Sequence, residues 1–364
     1  MKILHIVEAF ASGVLSFLQD ITQWQVQDNE VYIAWGARPL TPSNVAELFP
    51  PEVHFIQVKS FHGALWSVLN PGAYCSVRKI YQEVSPDLVH LHSSAAGFVG
   101  RAVLLGSKTP VLYTPHGYAF LPGNGNVVKR GGYHVAEWLM ARLSKATTVA
   151  CSKGEYDEAQ RLSQRCTYVS NGINVDKLAP YVKDDAGAAT DGPLKICTSG
   201  RILKQKNPAM FNEIASALPE YEFIWIGGGE LQGELTAPNI KVTGWVSREE
   251  SLDLLLSADV FLLPSLWEGL PIALLEAMYV KKVCVVSDVI GNRDVIRHGE
   301  NGFVCDVSSK DGFVAAIRQI AEKRSEARQL AEAAHADVVA HYNTAGMAKA
   351  YDKIYKDVVG SAQG

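Results

Sequence analysis

Two doubly wound, Rossmann-like α/β domains facing a cleft are the fold predicted for this 364-residue chain. Three features predict it. Short β-branched runs alternate with segments of helical period along the whole sequence, the signature of βαβ units and parallel sheets. The stretch from Asp176 to Pro193, with Pro180, repeated aspartates and alanines and two glycines, interrupts that alternation with linker composition. The length suits two domains of about 150–200 residues each.

In the first half, strands are expected near residues 2–7, 31–35, 53–58, 87–92, 111–114, 147–151 and 167–169, with helices between them. A second series begins at 194–198 and continues near 222–226, 240–243, 259–263, 283–286 and 302–304. The domains are therefore drawn as 1–175 and 176–345. Residues 312–358 read as helical, with a break expected at Ala345-Gly346-Met347.

Apolar residues make up 48% of the chain and charged residues 20%, which suits well-packed globular cores and excludes a largely disordered protein. No apolar run approaches the ~18 residues that span a bilayer. The N-terminus enters a strand pattern at Lys2 without the order of a secretory signal, so a cytosolic protein is expected. The six cysteines, Cys75, Cys151, Cys166, Cys197, Cys284 and Cys305, form no C-x-x-C and read as reduced packing thiols. The net charge of −4 is uneven: residues 1–180 carry 15 basic and 13 acidic side chains, leaving 19 and 25 for the remainder. That asymmetry permits an anionic surface as a partner of the first half and argues against a dedicated nucleic-acid binder.

The most informative block runs from Asp259 to Met278. Val260–Leu263 has the composition of a strand covered on both faces, and Pro271 has the fixed φ of a first helical turn. Backbone N–H groups at Gly269, Leu270 and Ile272 would then point outward at the carboxyl end of a sheet, a place suited to an anion. Glu268 and Glu276, eight positions apart, can each accept two hydrogen bonds from vicinal hydroxyls. Spacing alone also allows one capping and one solvated glutamate. A second block, Gly200-Arg201-Ile202-Leu203-Lys204-Gln205-Lys206-Asn207-Pro208, follows a strand and puts two cations on one loop, where they can converge on a diphosphate or simply be solvated.

With every element in register, the first block resembles the E-x7-E signature of glycosyltransferase family 4, P-S-x-x-E-G-L-P-x-x-x-L-E-A-M. The second resembles that family's G-R-(x)n-K-N pattern, with Arg201 and Lys206 on the matching positions. The resemblance implies the GT-B architecture, with the last helix, 346–364, returning to the first domain. It also implies a retaining hexosyl transfer from a nucleotide diphosphate sugar, a UDP-sugar by preference, to an acceptor hydroxyl. Arg201 and Lys206 are then expected to hold the diphosphate, Glu276 the ribose hydroxyls and Glu268 the donor sugar. Gly227 and Gly229 in Ile226–Glu230 match a G-x-G-x-E position near the nucleotide, and Val246 in Thr243–Val246 matches a segment whose backbone meets the nucleobase.

In the first domain, Gly13 follows the first strand and can let a loop pass close to a diphosphate. His116, in Pro115-His116-Gly117, matches the family's H-G position facing the transferred sugar; by itself it also reads as a turn residue. His90 and His92 read as buried or capping residues. Asn171-Gly172-Ile173-Asn174 matches a family turn and is assigned to a hinge. No D-x-D carboxylate pair occurs, so no catalytic metal and no cofactor beyond the donor are expected.

The family implies a glycan acceptor, with a lipid-linked glycan of envelope or capsule assembly as the family-level expectation. Two segments can meet an anionic membrane: Phe61–Leu69, and Lys129–Arg142, which sets Val135, Trp138, Leu139 and Arg142 on one helical face. The latter also reads as an ordinary helix on a sheet. The rival reading is a GT-B sugar-nucleotide epimerase acting on a UDP-sugar without an acceptor. A dinucleotide-dependent dehydrogenase is disfavoured because no G-x-G-x-x-G follows the first strand.

Overall fold

The structure is a computed structural model describing residues 1–363 apart from 9, 11, 39–40, 43, 122–126 and 183–191. Half of the linker read between Asp176 and Pro193 thus lies outside the described residues. The chain divides into two compact units. One comprises Met1–Leu121, Gly125–Asn171 and Thr344–Gly364, and the second includes Gly172–Asn343.

The first unit contains β1 (Lys2–Val7), α1 (Ser12–Gln25), β2 (Glu30–Trp35), β3 (His54–Gln57), α2 (Ala64–Leu69), α3 (Pro71–Val84) and β4 (Leu88–His92). It continues through α4 (Ser94–Val103), β5 (Val111–Thr114), α5 (Val127–Leu143), β6 (Thr147–Ala150), α6 (Lys153–Leu162) and β7 (Cys166–Tyr168). The strands form a parallel sheet in the order β3-β2-β1-β4-β5-β6-β7. β4 is buried along its whole length, the environment of a central parallel strand covered on both faces. The order reverses between β1 and β4, so the loops that follow these two strands diverge at the carboxyl edge and leave room there.

The second unit begins with α7 (Val175–Leu178) and β8 (Lys195–Ser199), then α8 (Pro208–Ala217), β9 (Glu222–Ile226), β10 (Ile240–Val242) and α9 (Arg248–Ser257). It continues with β11 (Val260–Leu263), α10 (Ile272–Tyr279), β12 (Val283–Ser287), β13 (Phe303–Cys305), α11 (Lys310–Glu322) and α12 (Arg324–His341). Its parallel sheet runs β10-β9-β8-β11-β12-β13, and its order reverses between β8 and β11. Phe211 and Ile214 of α8 and Phe313 and Ile317 of α11 pack with Trp225, Val260 and Val285 from the strands.

The last helix, α13 (Thr344–Gln363), belongs to the first unit, where Met347, Tyr351 and Tyr355 join Phe17 and Ile21 of α1 in its core. The expected break at Ala345-Gly346-Met347 is displaced: α12 ends at His341 and these three residues lie inside α13. The helix breaks instead at Tyr342–Asn343, where the Tyr342 carbonyl accepts from Ile173 and Asn343 bridges to Ile173, contacts that turn the backbone away from helical hydrogen bonding.

Polar residues sit inside the first core. His5, His90 and His92 are fully buried, on the two neighbouring central strands. Burial pushes the His5 ring down to about 4 and those of His90 and His92 well below the usual imidazole value, with the neighbouring rings adding to the effect on the last two. All three rings are neutral at physiological pH. The folded values lie below the unfolded value of 6.5, so below that pH the unfolded chain binds more protons. Stability is fully present above pH 6.5 and is lost as the pH falls towards 4. The His5 ring is expected to cost about 2 kcal/mol at pH 5 relative to pH 7, and His90 and His92 act in the same direction. Urea titrations followed by amide exchange in β1 and β4 at the two pH values check this; equal midpoints contradict it.

Candidate active site

The loops leaving β8 and β11 flank the reversal point of the second sheet, and three consecutive residues tie them together. The Gln205 carbonyl accepts from Leu266 N–H at 2.8 Å, and the Gln205 side-chain amide donates to the Trp267 carbonyl and to Glu268 Oε2, each at 3.1 Å. Lys206 Nζ lies 2.7 Å from Glu268 Oε1. Asn207 donates to the Pro264 carbonyl at 3.1 Å while its own oxygen caps α8. Asn207 holds φ at +56°, a left-handed conformation that asparagine tolerates.

The Lys206–Glu268 pair is enclosed, with side-chain exposures of 16% and 6%. A carboxylate so placed needs its partner, because an unpaired charge out of water is costly. Each Glu268 oxygen takes one hydrogen bond from the protein and retains acceptor capacity, so the group can still receive sugar hydroxyls. Lys206 spends one of its three donors on Glu268 and keeps two for an anion.

Arg201, on the same loop as Lys206, is ion-paired with Glu230 of the loop after β9. That pair is open to solvent, and it holds the Glu230 carboxyl below its usual value, together with the backbone N–H of Glu230, the larger cause. The two loops also zip through their backbones, Gly200 N–H to Ile226 O at 3.0 Å and Ile202 N–H to Gly228 O at 2.9 Å. Lys206 lies beside Arg201's neighbour, its Cε 3.3 Å from where a Cβ on Gly200 would stand. The structure thus brings Arg201, Lys206 and Glu268 to one set of adjoining loops.

Glu276 sits on α10 and is forked by Arg248, with Arg248 Nη1 3.0 Å from Glu276 Oε2. Sequence reasoning missed Arg248 and Glu230. Ser247 caps α9 by accepting from Glu250 N–H at 3.1 Å, and this S-x-x-E signal was legible; it places Arg248 in the first helical turn. Nothing local names a partner 28 residues away.

Several expected residues sit differently from their reading. Gly227 and Gly229 were expected to admit a ligand; a Cβ on Gly227 would lie 2.4 Å from the Gly200 carbonyl oxygen, and one on Gly229 2.3 Å from that of Ile202. Their smallness therefore serves loop-on-loop packing. Pro271 caps α10 with ψ at 118° instead of forming its first turn. Gly269 and Leu270, whose N–H groups were expected to point outward, are buried residues, and the turn at Gly291 packs so near that a Cβ there would lie 2.3 Å from the Gly269 carbonyl oxygen. Ile272 opens α10, and the first N–H groups of a helix lack intrahelical acceptors. Gly13 lies in the first turn of α1, not in the preceding loop, with open space where a Cβ would stand. Val246 is half-buried and its neighbour Trp245 exposed; the Trp245 Nε1 is 3.3 Å from a Cβ built on Gly228.

In the first unit, His116 follows β5 and is half-buried, with φ at +54°. Its Nε2 is 3.1 Å from His92 Nδ1, and desolvation pushes the ring down to about 3, so it is neutral.

The family description "Glycosyltransferase Family 4" matches residues 11–177, and "Glycosyl transferases group 1" matches residues 183–337. An Escherichia coli protein, UDP-Gal:alpha-D-GlcNAc-diphosphoundecaprenol alpha-1,3-galactosyltransferase, is 30% identical over 280 residues, 68% of this chain and 70% of its own length. The chain belongs to glycosyltransferase family 4. It is a glycosyltransferase, and a Klebsiella pneumoniae protein described as uncharacterised in the cps region is 24% identical to it over 98% of this chain and 99% of its own length. Solved structures share the GT-B fold. Sucrose-phosphate synthase from Thermosynechococcus elongatus matches with a TM-score of 0.85 at 16% identity, covering 99% of this chain and 100% of its own. HepE from Anabaena, in complex with UDP and glucose, matches with a TM-score of 0.79 at 17% identity, covering 97% and 99%.

Removing Lys206 alone strands the Glu268 carboxylate. Lys206→Met is expected to destabilise the second unit by about 3 kcal/mol, and Lys206→Met with Glu268→Gln to recover a substantial part. Urea unfolding of the three proteins measures the coupling; additive losses contradict a paired, enclosed charge.

Proposed function

We infer that this family member moves a hexose from a UDP-sugar to a hydroxyl of a lipid-linked glycan with retention of anomeric configuration and without a metal ion. The observation that carries the reading is the Lys206–Glu268 pair, which joins the two signature loops at the reversal point of the second sheet, beside Arg201. Diphosphate oxygens would draw Arg201 away from Glu230. That exchange is inexpensive, since exposed pairs are worth about 0–1 kcal/mol. Lys206 would turn its remaining donors to the same group while Glu268 receives hydroxyls of the donor sugar and Glu276 those of the ribose. Fixed cations then oppose the charge that builds on the departing diphosphate. As the bond from the anomeric carbon to the phosphate oxygen breaks, a diphosphate oxygen takes the proton of the incoming hydroxyl on the same face. The donor and acceptor named for the Escherichia coli relative, a UDP-galactose and a diphosphoundecaprenol-linked sugar, support this choice of substrate class.

A membrane-facing role fits α5. Its contacts with the core are the buried Glu137, which accepts from Arg101 at 2.7 Å and from the Tyr113 hydroxyl at 2.8 Å, and Met140. Val135, Trp138, Leu139 and Leu143 instead face solvent, and the Arg142 guanidinium stacks on Trp138. An apolar outer face edged by cations suits an anionic lipid surface. Trp66 and Leu69 of α2 are also exposed. No helix among the described residues is long and apolar enough to cross a membrane.

Arg201→Ala and Lys206→Ala are each expected to raise the barrier by about 2–4 kcal/mol in assays with UDP-sugars and undecaprenyl-diphosphate-linked acceptors. Turnover near wild type in either variant removes the diphosphate assignment. Activity should survive EDTA; a strict need for Mg²⁺ or Mn²⁺ rejects the metal-free reading. A new epimer formed without acceptor favours the epimerase instead. For the membrane face, Trp138→Ser and Leu139→Ser should each lower partitioning onto phosphatidylglycerol vesicles by about tenfold, roughly 1.5 kcal/mol per apolar side chain. Sedimentation measures this, and unchanged partitioning excludes α5 as the contact.

A further inference from the structure

A run of hydrogen bonds crosses the core of the first unit and ends at His116. The Gln25 amide is held by two partners: its nitrogen donates to the Tyr355 hydroxyl at 3.2 Å, and its oxygen faces His5 Nε2 at 2.9 Å. His5 Nε2 must therefore carry a proton. A neutral imidazole has one N–H, so His5 Nδ1 is an acceptor, and the atom 2.9 Å from it, His92 Nε2, is the donor. The same rule makes His92 Nδ1 an acceptor and His116 Nε2, 3.1 Å away, its donor. From the other side of Gln25, the Tyr355 hydroxyl accepts from that amide and lies 2.6 Å from His90 Nδ1, where its own proton can be accepted; His90 Nε2 is then the donor to Thr114 Oγ1 at 2.8 Å. The polarity is consistent from end to end, and both nitrogens of His5, His90 and His92 are used.

His5, His90 and His92 also offer ligand atoms within 4.8 Å of one another, a spacing open to a metal ion. Those atoms are the ones committed to the hydrogen bonds just described, so an ion would have to strip them.

One nitrogen is left over. His116 Nδ1 has no hydrogen bond among the described residues, and its residue stands half-buried at the carboxyl end of β5 in a left-handed conformation. Such backbone strain at a non-glycine residue persists when surrounding contacts hold it in place. Here the contacts are the His92 bond, the stacked His92 ring at 5.3 Å and the edge of Phe17 at 5.0 Å.

We propose that Gln25, His5 and His92 are positioning residues that lock His116 in its Nε2-protonated tautomer, so that Nδ1 presents a fixed lone pair to a hydroxyl of the bound sugar. This rests on the proposed transfer reaction. The ring acts as an acceptor only and discriminates for a ligand that offers a hydroxyl at that point. A ligand lacking the hydroxyl leaves the lone pair desolvated. Tyr355 of α13 completes the polarity by orienting the Gln25 amide, which gives the last helix a share in the setting of His116.

Long-range ¹H–¹⁵N correlation spectra of the full-length, ¹⁵N-histidine-labelled protein read the tautomers without turnover. His5, His92 and His116 are expected as neutral rings protonated on Nε2. A proton on His116 Nδ1, or an averaged mixture, overturns the relay. Equimolar Zn²⁺ is expected to leave the spectrum unchanged; loss of the His92 Nε2 proton overturns it in favour of a metal site.

His92→Leu should release His116 and lower kcat by about 10- to 100-fold while the donor KM changes little. In His92→Asn, the side-chain oxygen can accept from His116, and both the tautomer and most of the activity should return. A fixed tautomer in His92→Leu sinks the relay. A fixed wild-type tautomer together with a fully active His116→Ala variant sinks the assignment of the ring to the sugar.

Discussion

An ion pair shielded from water, Lys206 with Glu268, is the constraint around which the second unit arranges its loops. A carboxylate 6% exposed is tolerable only with a cation beside it and its remaining lone pairs engaged. Gln205 supplies the second contact and Asn207 anchors the same loop to Pro264, so the charge pair, the amide and the cap act on one short stretch of chain. With those two loops drawn together, the loop after β9 has to pass across Gly200 and Ile202 at backbone distance. Glycine at 227 and 229 is what permits that passage. Of the outer cations, Arg201 rests on the solvent-accessible carboxylate of Glu230, whereas Arg248, itself half exposed, forks the mostly buried Glu276.

The first unit meets the same problem, polar groups at the carboxyl end of buried parallel strands, with neutral rings in place of charges. His5, His90 and His92 carry no charge because burial penalises the protonated form, and each proton they retain has an acceptor. In both units the polar cluster lies where the strand order reverses, β1 against β4 and β8 against β11. Loops diverge there, so the sheet edge can host side chains that its interior cannot.

Alternating β-branched runs located every strand to within about two residues, because a strand buried on both faces leaves a compositional trace. The two signature blocks were legible for a different reason: their residues are close in sequence, so each block could be matched to a family pattern in register. Partners distant in sequence were not. Arg248 meets Glu276 across 28 residues, Arg201 meets Glu230 across 29, and His5 meets His92 across 87. The glycines were legible as positions but not as reasons. A glycine announces that a Cβ is unwelcome or unnecessary, but whether a ligand, a neighbouring backbone or open solvent is the reason depends on what lies opposite. Gly227, Gly229 and Gly13 give two different answers.

Sequence alone determined the class of fold and the placement of its strands, and it singled out Arg201, Lys206, Glu268 and Glu276 as candidate site residues. These follow from periodicity and from local clusters of charge, which are properties of neighbouring positions. Tertiary structure decided which cation sits on which carboxylate, which glycines are squeezed by backbone, and which way the protons run from Gln25 to His116. Those depend on distances between residues far apart in the chain, and a proton's position on a ring is set by the atom facing it.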